Sequence, residues 1–162
     1  MADSLLTSDS GQWKVIGEFS HLPLTDLFEE AMLAARAAKG NAYAPYSNFQ
    51  VGAAASMDGI LSAGCNVENA SYGGTICAER SAIFSGVSQG RRKLDLIALT
   101  TSCESGAPLE NRSPCGMCRQ IISEFALPNT ILLLDAGSSE EFDYLGEVIP
   151  FDSLLPLRFR LD

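Results

Sequence analysis

The sequence is poor in basic residues and holds a single histidine. Its 162 residues include 11 lysines and arginines against 20 aspartates and glutamates, which gives a formal net charge of −9 at pH 7. A protein that binds a nucleic-acid polymer needs basic side chains to displace the counterions of the phosphate backbone. We therefore expect no nucleic-acid polymer as partner or substrate, whereas this charge is compatible with a small neutral molecule.

Long apolar runs are absent as well. No stretch approaches the ~20 apolar residues that a membrane-spanning helix requires. Residues 1–10 contain two acids, no base and no apolar run of signal-peptide length. These features predict a cytoplasmic protein with no membrane partner.

The cysteines are few and odd in number. They are Cys65, Cys77, Cys103, Cys115 and Cys118. In a reducing compartment such a set is more typical of metal ligands or buried thiols than of a disulfide framework.

The length of the chain corresponds to about one domain. The distribution of apolar and polar residues divides the chain into an N-terminal leader and a folded part. Residues 1–22 are mixed in character, contain Trp13 and His21, and are expected to form a partly flexible N-terminal leader. Residues 23–162 are expected to form the domain. We predict helices at 25–39, 76–86 and 115–125, strands at 49–56, 60–65, 94–101, 130–134 and 143–148, and a helical turn at 152–155. This order predicts a mixed α/β sheet covered by helices.

Two cysteine-bearing segments each begin a predicted helix. They are Cys77-Ala78-Glu79 and Pro114-Cys115-Gly116-Met117-Cys118. Residues three apart share one side of a helical turn, and the positive end of a helix favours the thiolate that zinc requires. Three thiolates leave one tetrahedral position for water, as in a catalytic zinc site.

Glu79 lies two residues after Cys77 and can approach a zinc-activated water without binding the metal. A carboxylate there can take a proton and pass it on. Three thiolates on Zn²⁺ leave a net negative charge, which the two helix N-termini and Arg80 are candidates to compensate. An ordinary surface cation is the alternative interpretation of Arg80.

Other interpretations of the cysteines remain open at this point. A lone C-x-x-C is also typical of redox sites, but a third cysteine with an adjacent acid is not part of that chemistry. A structural four-cysteine site would need Cys103 or, less favourably, Cys65 as its fourth ligand. His21 is far from the motifs and is more typical of a packing or surface residue.

Four ordered motifs carry a resemblance to a known family. They are Ala44-Pro45-Tyr46-Ser47-Asn48-Phe49-Gln50-Val51-Gly52-Ala53-Ala54, Cys65-Asn66-Val67-Glu68-Asn69-Ala70-Ser71-Tyr72, Cys77-Ala78-Glu79-Arg80 and Ser113-Pro114-Cys115-Gly116-Met117-Cys118-Arg119-Gln120. Together they resemble the small, homotetrameric, three-cysteine cytidine deaminases, from about residue 25 to residue 159. The resemblance implies a three-layer α/β/α sandwich with a mixed five-stranded sheet.

The resemblance also implies an activity in pyrimidine salvage. Free cytidine and deoxycytidine would be hydrolysed to uridine and deoxyuridine plus ammonia by a zinc-bound hydroxide. One Zn²⁺ per subunit would be held by Cys77, Cys115 and Cys118, with Glu79 as proton shuttle. Rival hypotheses are a deaminase of another amino-heterocycle, a non-catalytic zinc module and a polynucleotide-editing deaminase.

Substrate contacts are implied residue by residue. Phe49 would pack against the pyrimidine, Asn66 and Glu68 would bind the ribose hydroxyls, and the Ala78 backbone N–H would bind the base carbonyl. Neighbouring subunits of a homotetramer would complete the pocket, with Tyr72 and Phe159 at the matching positions. Two departures from the family are the extra leader and the acidic loop at 102–113.

Overall fold

The computed structural model describes residues 4–20, 25–104 and 106–161. Within them, one mixed sheet contains seven strands in the order β1-β2-β7-β6-β5-β3-β4. The strands are β1 Leu5–Thr7, β2 Gly11–Val15, β3 Val51–Met57, β4 Ile60–Cys65, β5 Leu94–Thr101, β6 Ala126–Gly137 and β7 Tyr144–Pro150. The β2–β7 and β5–β6 pairs are parallel, and the other neighbours are antiparallel.

Helices cover the sheet in the predicted order. They are α1 Asp26–Lys39, α2 Ala78–Ser88, α3 Leu109–Arg112 and α4 Gly116–Phe125, with 3₁₀ turns at Tyr72–Gly74 and Phe151–Leu154. The single turn α3 lies inside the segment that was predicted to be a loop. In the described part of the chain, no helix has both the length and the apolar character that crossing a membrane requires.

The sheet separates two apolar clusters, which confirms the α/β sandwich. On one face, the buried side of α1 packs on alternate residues of the central strands, such as Ala54, Leu96 and Leu133. On the other face, α2 and α4 pack on the intervening residues, such as Ile97 and Leu132. Alternation along a strand points successive side chains to opposite faces, so each central strand supplies both clusters.

The expected count of five strands is wrong, because the N-terminal segment adds two. Gly11, Trp13 and Val15 alternate with less buried residues, the pattern of a half-buried strand. Their strand β2 pairs in parallel with β7. The segment expected to be a partly flexible leader therefore supplies β1 and β2, while His21 lies outside the described residues.

Burial of the Trp13 indole explains why this segment joins the sheet. The side chain is fully buried, with its ring 5.4 Å from that of Phe28 and 6.4 Å from that of Tyr144. The Ser10 hydroxyl donates to Glu29 of α1 at 2.6 Å, which fixes the turn between the two strands on the helix. Hydrogen bonds from Ser10 and Ser8 lower the pKa of Glu29.

Close packing at one glycine places α2 on the sheet. A Cβ atom at Gly64 of β4 would lie 2.5 Å from the backbone nitrogen of Ala82 in α2. Only a residue without a side chain lets the helix approach this closely. The start of α2, which carries the first cysteine motif, is therefore held tightly against the hairpin.

Candidate metal centre

Three thiols converge where α2 and α4 begin. Cys77 and Cys115 are the residues immediately before the two helices, both with extended backbone, and Cys118 lies in the first turn of α4. Their sulfur atoms all lie within 4.8 Å of one another. A tetrahedral zinc with Zn–S bonds of about 2.3 Å separates its sulfur ligands by about 3.8 Å, so the donor set and its spacing fit zinc.

The other cysteines lie outside this group. The Cys103 thiol donates to the Asn111 carbonyl at 3.4 Å, and the Cys65 thiol donates to the Asn41 carbonyl at the same distance. Among the residues that the structure describes, Cys77, Cys115 and Cys118 form a group of three potential metal ligands without a fourth. This arrangement disfavours a closed structural site, because a position remains open to water.

Arg80 is buried against the thiols and is not a surface cation. Its side chain donates to the Cys77 sulfur at 3.5 Å, the Met117 sulfur at 3.1 Å and the Thr75 carbonyl at 2.8 Å. The hydrogen bond from Cys118, with further help from Arg80, lowers the pKa of Cys77 to about 5. The same hydrogen bond to Cys77, followed by burial, raises the pKa of Cys118.

Glu79 is a buried carboxyl group beside the thiols. It is 4% exposed, and burial, followed by the charge on Cys77, raises its pKa to about 7. A group with a pKa near the working pH transfers protons in both directions. Burial beside the thiols therefore gives Glu79 the pKa that a general acid–base requires.

A cavity of about 190 Å³ opens in front of this centre. Its lining includes Cys77, Glu79 and Cys115 together with three side chains predicted to contact substrate, which are Phe49, Asn66 and Glu68. The lining joins apolar surface to a few polar groups, as in a small-molecule site. Four segments that are separate in the sequence therefore meet in one cavity.

Asn66 and Glu68 also organise the wall of that cavity. The Asn66 amide, 8% exposed, accepts from the Val51 N–H and donates to the Phe49 carbonyl, each at 2.8 Å. Glu68 accepts from the Ser47 hydroxyl and from the Tyr46 N–H, and these hydrogen bonds lower its pKa. Amide and carboxylate groups have further hydrogen-bonding capacity, which a ligand can use.

The other three residues predicted to contact substrate are not among those that line this cavity. Ala78 is fully buried as the first residue of α2, where a backbone N–H has no partner within the helix. Tyr72 is 80% exposed and lines an adjoining hollow with Tyr46 and Glu68. Phe159 is 67% exposed beside α4, held through its carbonyl by Gln120 at 3.0 Å. Both aromatic rings face outward from the protomer.

Some lining residues were not foreseen from the sequence. Ser47 and Thr75 line both the cavity and the adjoining hollow. Thr101 and Arg112 line the cavity but not the hollow. Ser47 lies within a quoted motif, and its contact with Glu68 could have been sought there. Arg112 sits in an acidic, turn-rich stretch, and no local pattern signals that it is buried.

Comparison with known proteins agrees with this geometry. A family model described as the cytidine and deoxycytidylate deaminase zinc-binding region matches residues 26–134. A cytidine deaminase of Halalkalibacterium halodurans is 47% identical over 116 residues, which cover 70% of this chain and 83% of that protein. A cytidine deaminase of Mycobacterium tuberculosis is 48% identical over 130 residues, which cover 80% and 86%. The crystal structure of a Burkholderia pseudomallei cytidine deaminase superposes with a TM-score of 0.67 at 40% identity, covering 81% of this chain and 98% of that one.

Proposed function

The chain belongs to the zinc-binding family of cytidine and deoxycytidylate deaminases, and from this premise we propose that it hydrolyses free cytidine and deoxycytidine to uridine and deoxyuridine. The observation that carries the proposal is the meeting of three thiols and a buried Glu79 in one cavity. Residues suited to a base and a sugar line the same cavity. Free cysteine thiols are typical of a reducing compartment, which favours the cytoplasm. The reaction itself belongs to pyrimidine salvage.

The metal site supports one Zn²⁺ per subunit, held by Cys77, Cys115 and Cys118. Zinc bound there supplies a Lewis acid that activates water at neutral pH. Arg80, buried beside the Cys77 sulfur, and the two helix N-termini offset the negative charge of the thiolates.

Glu79 carries the proton transfers in this proposal. It takes a proton from the attacking water and delivers it to N3 of the pyrimidine. It then takes the proton of the new C4 hydroxyl and delivers it to the amino group, which leaves as ammonia while C4 becomes a carbonyl. Its raised pKa supports this role, because the carboxyl can hold a proton near neutral pH and release it again.

The remaining side chains hold the nucleoside. Phe49 packs against the pyrimidine, and the free N–H of Ala78 donates to the base carbonyl. Asn66 and Glu68 bind the sugar hydroxyls with their remaining capacity. A substrate without the sugar would leave these groups unpaired, so weak activity on free cytosine follows.

The protomer supports a homotetramer with shared cavities. Tyr72 and Phe159 are exposed on the outside of the protomer, and the hollow that contains Tyr72 adjoins the cavity. Exposed aromatic side chains of this size favour burial against another subunit. Light scattering coupled to size exclusion measures the state directly, and a monomeric active enzyme would contradict this part.

The test is ultraviolet absorbance of cytidine and deoxycytidine incubated with the zinc-loaded wild type and with Glu79→Gln. Loss of general acid–base catalysis typically costs about 10²–10⁴-fold in rate. We expect that loss in kcat for Glu79→Gln, with zinc content unchanged. Glu110→Gln, an exposed change in α3, is the matched control and should keep wild-type activity.

Two results would contradict the proposal. If the zinc-loaded wild type is inert on both nucleosides, the substrate assignment is wrong. The zinc centre would then act on another amino-heterocycle or have a structural role. Full activity in Glu79→Gln would remove Glu79 from the chemistry while leaving the substrate assignment intact.

A further inference from the structure

Cys77 and Cys115 each precede a helix, but Cys115 is the exposed one of the three thiols and follows the loop at 102–113. Cys118 is fully buried in α4, and Cys77 precedes the fully buried Ala78. Cys115 is exposed. Its position relative to the other sulfurs therefore depends on how the preceding loop is held.

Arg112, three residues before Cys115, fastens that loop to the sheet. Its two terminal nitrogens donate to the Glu147 carboxylate at 2.9 Å each, and it also donates to the carbonyls of Ala107 and Asp135 at 2.9 Å. The side chain of Arg112 is 7% exposed and that of Glu147 is 15% exposed. A planar guanidinium in a bidentate pair has a fixed orientation. Arg112 therefore holds the loop in one position relative to β6 and β7.

The backbone between Arg112 and Cys115 has little freedom. Ser113 donates to the Leu109 carbonyl through its N–H at 2.8 Å and its hydroxyl at 2.6 Å. Pro114 is buried, and its ring fixes its own φ. A shift of the guanidinium would therefore be passed along the backbone to the thiol.

We infer that the Arg112–Glu147 ion pair positions Cys115 for metal binding, a role that rests on the proposed function because it takes Cys115 as a ligand. Arg112 acts through the loop, because its hydrogen bonds go to Ala107, Asp135 and Glu147 and not to the thiols. Groups that orient metal ligands typically contribute 10–100-fold to metal affinity or activity. The pair is thus part of the metal site although it lies between the loop and the strands beneath it.

The test compares two double variants of the full chain. Arg112→Met/Glu147→Met removes both charges, because removing one would leave the other buried and unpaired. Arg36→Met/Asp135→Asn is the control, since Arg36 forms a similar two-point pair with the Asp135 carboxylate of β6, at 2.9 Å and 2.7 Å, on the opposite face of the sheet. The change keeps the Asp135 backbone carbonyl, which is the atom that accepts from Arg112. Zinc affinity is measured by competition with a chromophoric chelator, and circular dichroism verifies folding.

We expect about 10–100-fold weaker zinc binding in Arg112→Met/Glu147→Met and a change below about twofold in the control. The thiolate-to-metal absorption of the Co²⁺-substituted protein should weaken by about a third in the first variant alone, because one of three sulfur ligands is misplaced. Equal zinc affinity in the first variant and the wild type, or an equal loss in the control, would overturn the inference.

Arg112→Lys keeps the test decisive if the double variant does not fold. Lysine keeps the charge but not the two-point geometry, so Arg112→Lys should bind zinc more weakly than the wild type, by up to about tenfold. Wild-type affinity in folded Arg112→Lys would count against positioning. Failure of the wild type itself to bind zinc would instead overturn the proposed function, and the inference with it.

Discussion

The two faces of the sheet differ in what they bury. The α1 face encloses the aromatic rings of Trp13 and Phe28 with aliphatic side chains, and its ion pair joins the partly exposed Arg36 to the largely buried Asp135. The face covered by α2 and α4 buries Glu79 and Arg80 beside the thiols. Burying charge is unfavourable unless partners compensate, so the first face chiefly stabilises the fold and the second holds reactive groups in place.

The largest expected effect on stability comes from the α1 face. Trp13→Ala should lower the free energy of unfolding by about 3–5 kcal/mol, because it removes a fully buried indole. Chemical denaturation measures this change. At low temperature the folded variant should keep its kcat within about twofold, since an Ala substitution there leaves the catalytic face intact. A tenfold fall in kcat of the folded variant would show that the two faces are coupled.

A smaller effect is expected from Asp135→Asn. Burial raises the pKa of Asp135, but hydrogen bonds from Arg36 and Thr100 outweigh it and leave the pKa below its usual range. At pH 7 the variant should be less stable by about 1.5–3 kcal/mol, the typical contribution of hydrogen bonds to a charged group. A depressed pKa gives stability that is present above the ordinary aspartate range and lost as the pH falls through the lowered value.

The pH dependence separates this ion pair from simple packing. Denaturation of the wild type and Asp135→Asn from pH 7 downward should show their stabilities converging in acid. Asp95→Asn, an exposed change on β5, is the control and should stay within about 0.5 kcal/mol at every pH. A constant difference between the wild type and Asp135→Asn would contradict the linkage.

The smallest effect on stability is expected on the catalytic face. Glu68→Gln weakens the hydrogen bonds to Ser47 and Tyr46 in a solvated loop, so its melting temperature should change less than that of Asp135→Asn. Its KM for cytidine should rise about tenfold, because a charged acceptor for a sugar hydroxyl is lost. Steady-state kinetics with cytidine test this, and Asn69→Ala in the same loop is a control. An unchanged KM would remove Glu68 from sugar binding.

Local patterns were sufficient to predict most of the fold and the metal centre. The cysteines at two helix starts and the acid after Cys77 are signals within short segments, and the structure brings them into one cavity. The predicted strand at 94–101 is observed over the same residues. Such features depend on propensity and spacing, which can be read without knowledge of distant partners.

Other features depend on partners far away in the sequence. β2 forms a strand because it pairs with the edge of β7 and because Trp13 packs against Phe28 of α1. Arg112 is buried because its guanidinium forms an ion pair with Glu147 of β7. A short segment contains no sign of either partner, which explains why the first was expected to be a flexible leader and the second was not singled out.

The parallel pairing of β2 with β7 has a consequence for the order of folding. Gly11 pairs with Tyr144, and Val15 pairs with Val148. β2 is synthesised early and β7 late, so this pairing cannot form until β7 has been made. Contacts between such distant segments form slowly, because the intervening chain must first close on itself. The three cysteines are all synthesised before β7. A nascent chain can therefore assemble its thiol cluster while Trp13 is still exposed, and would then need protection from aggregation until β7 emerges.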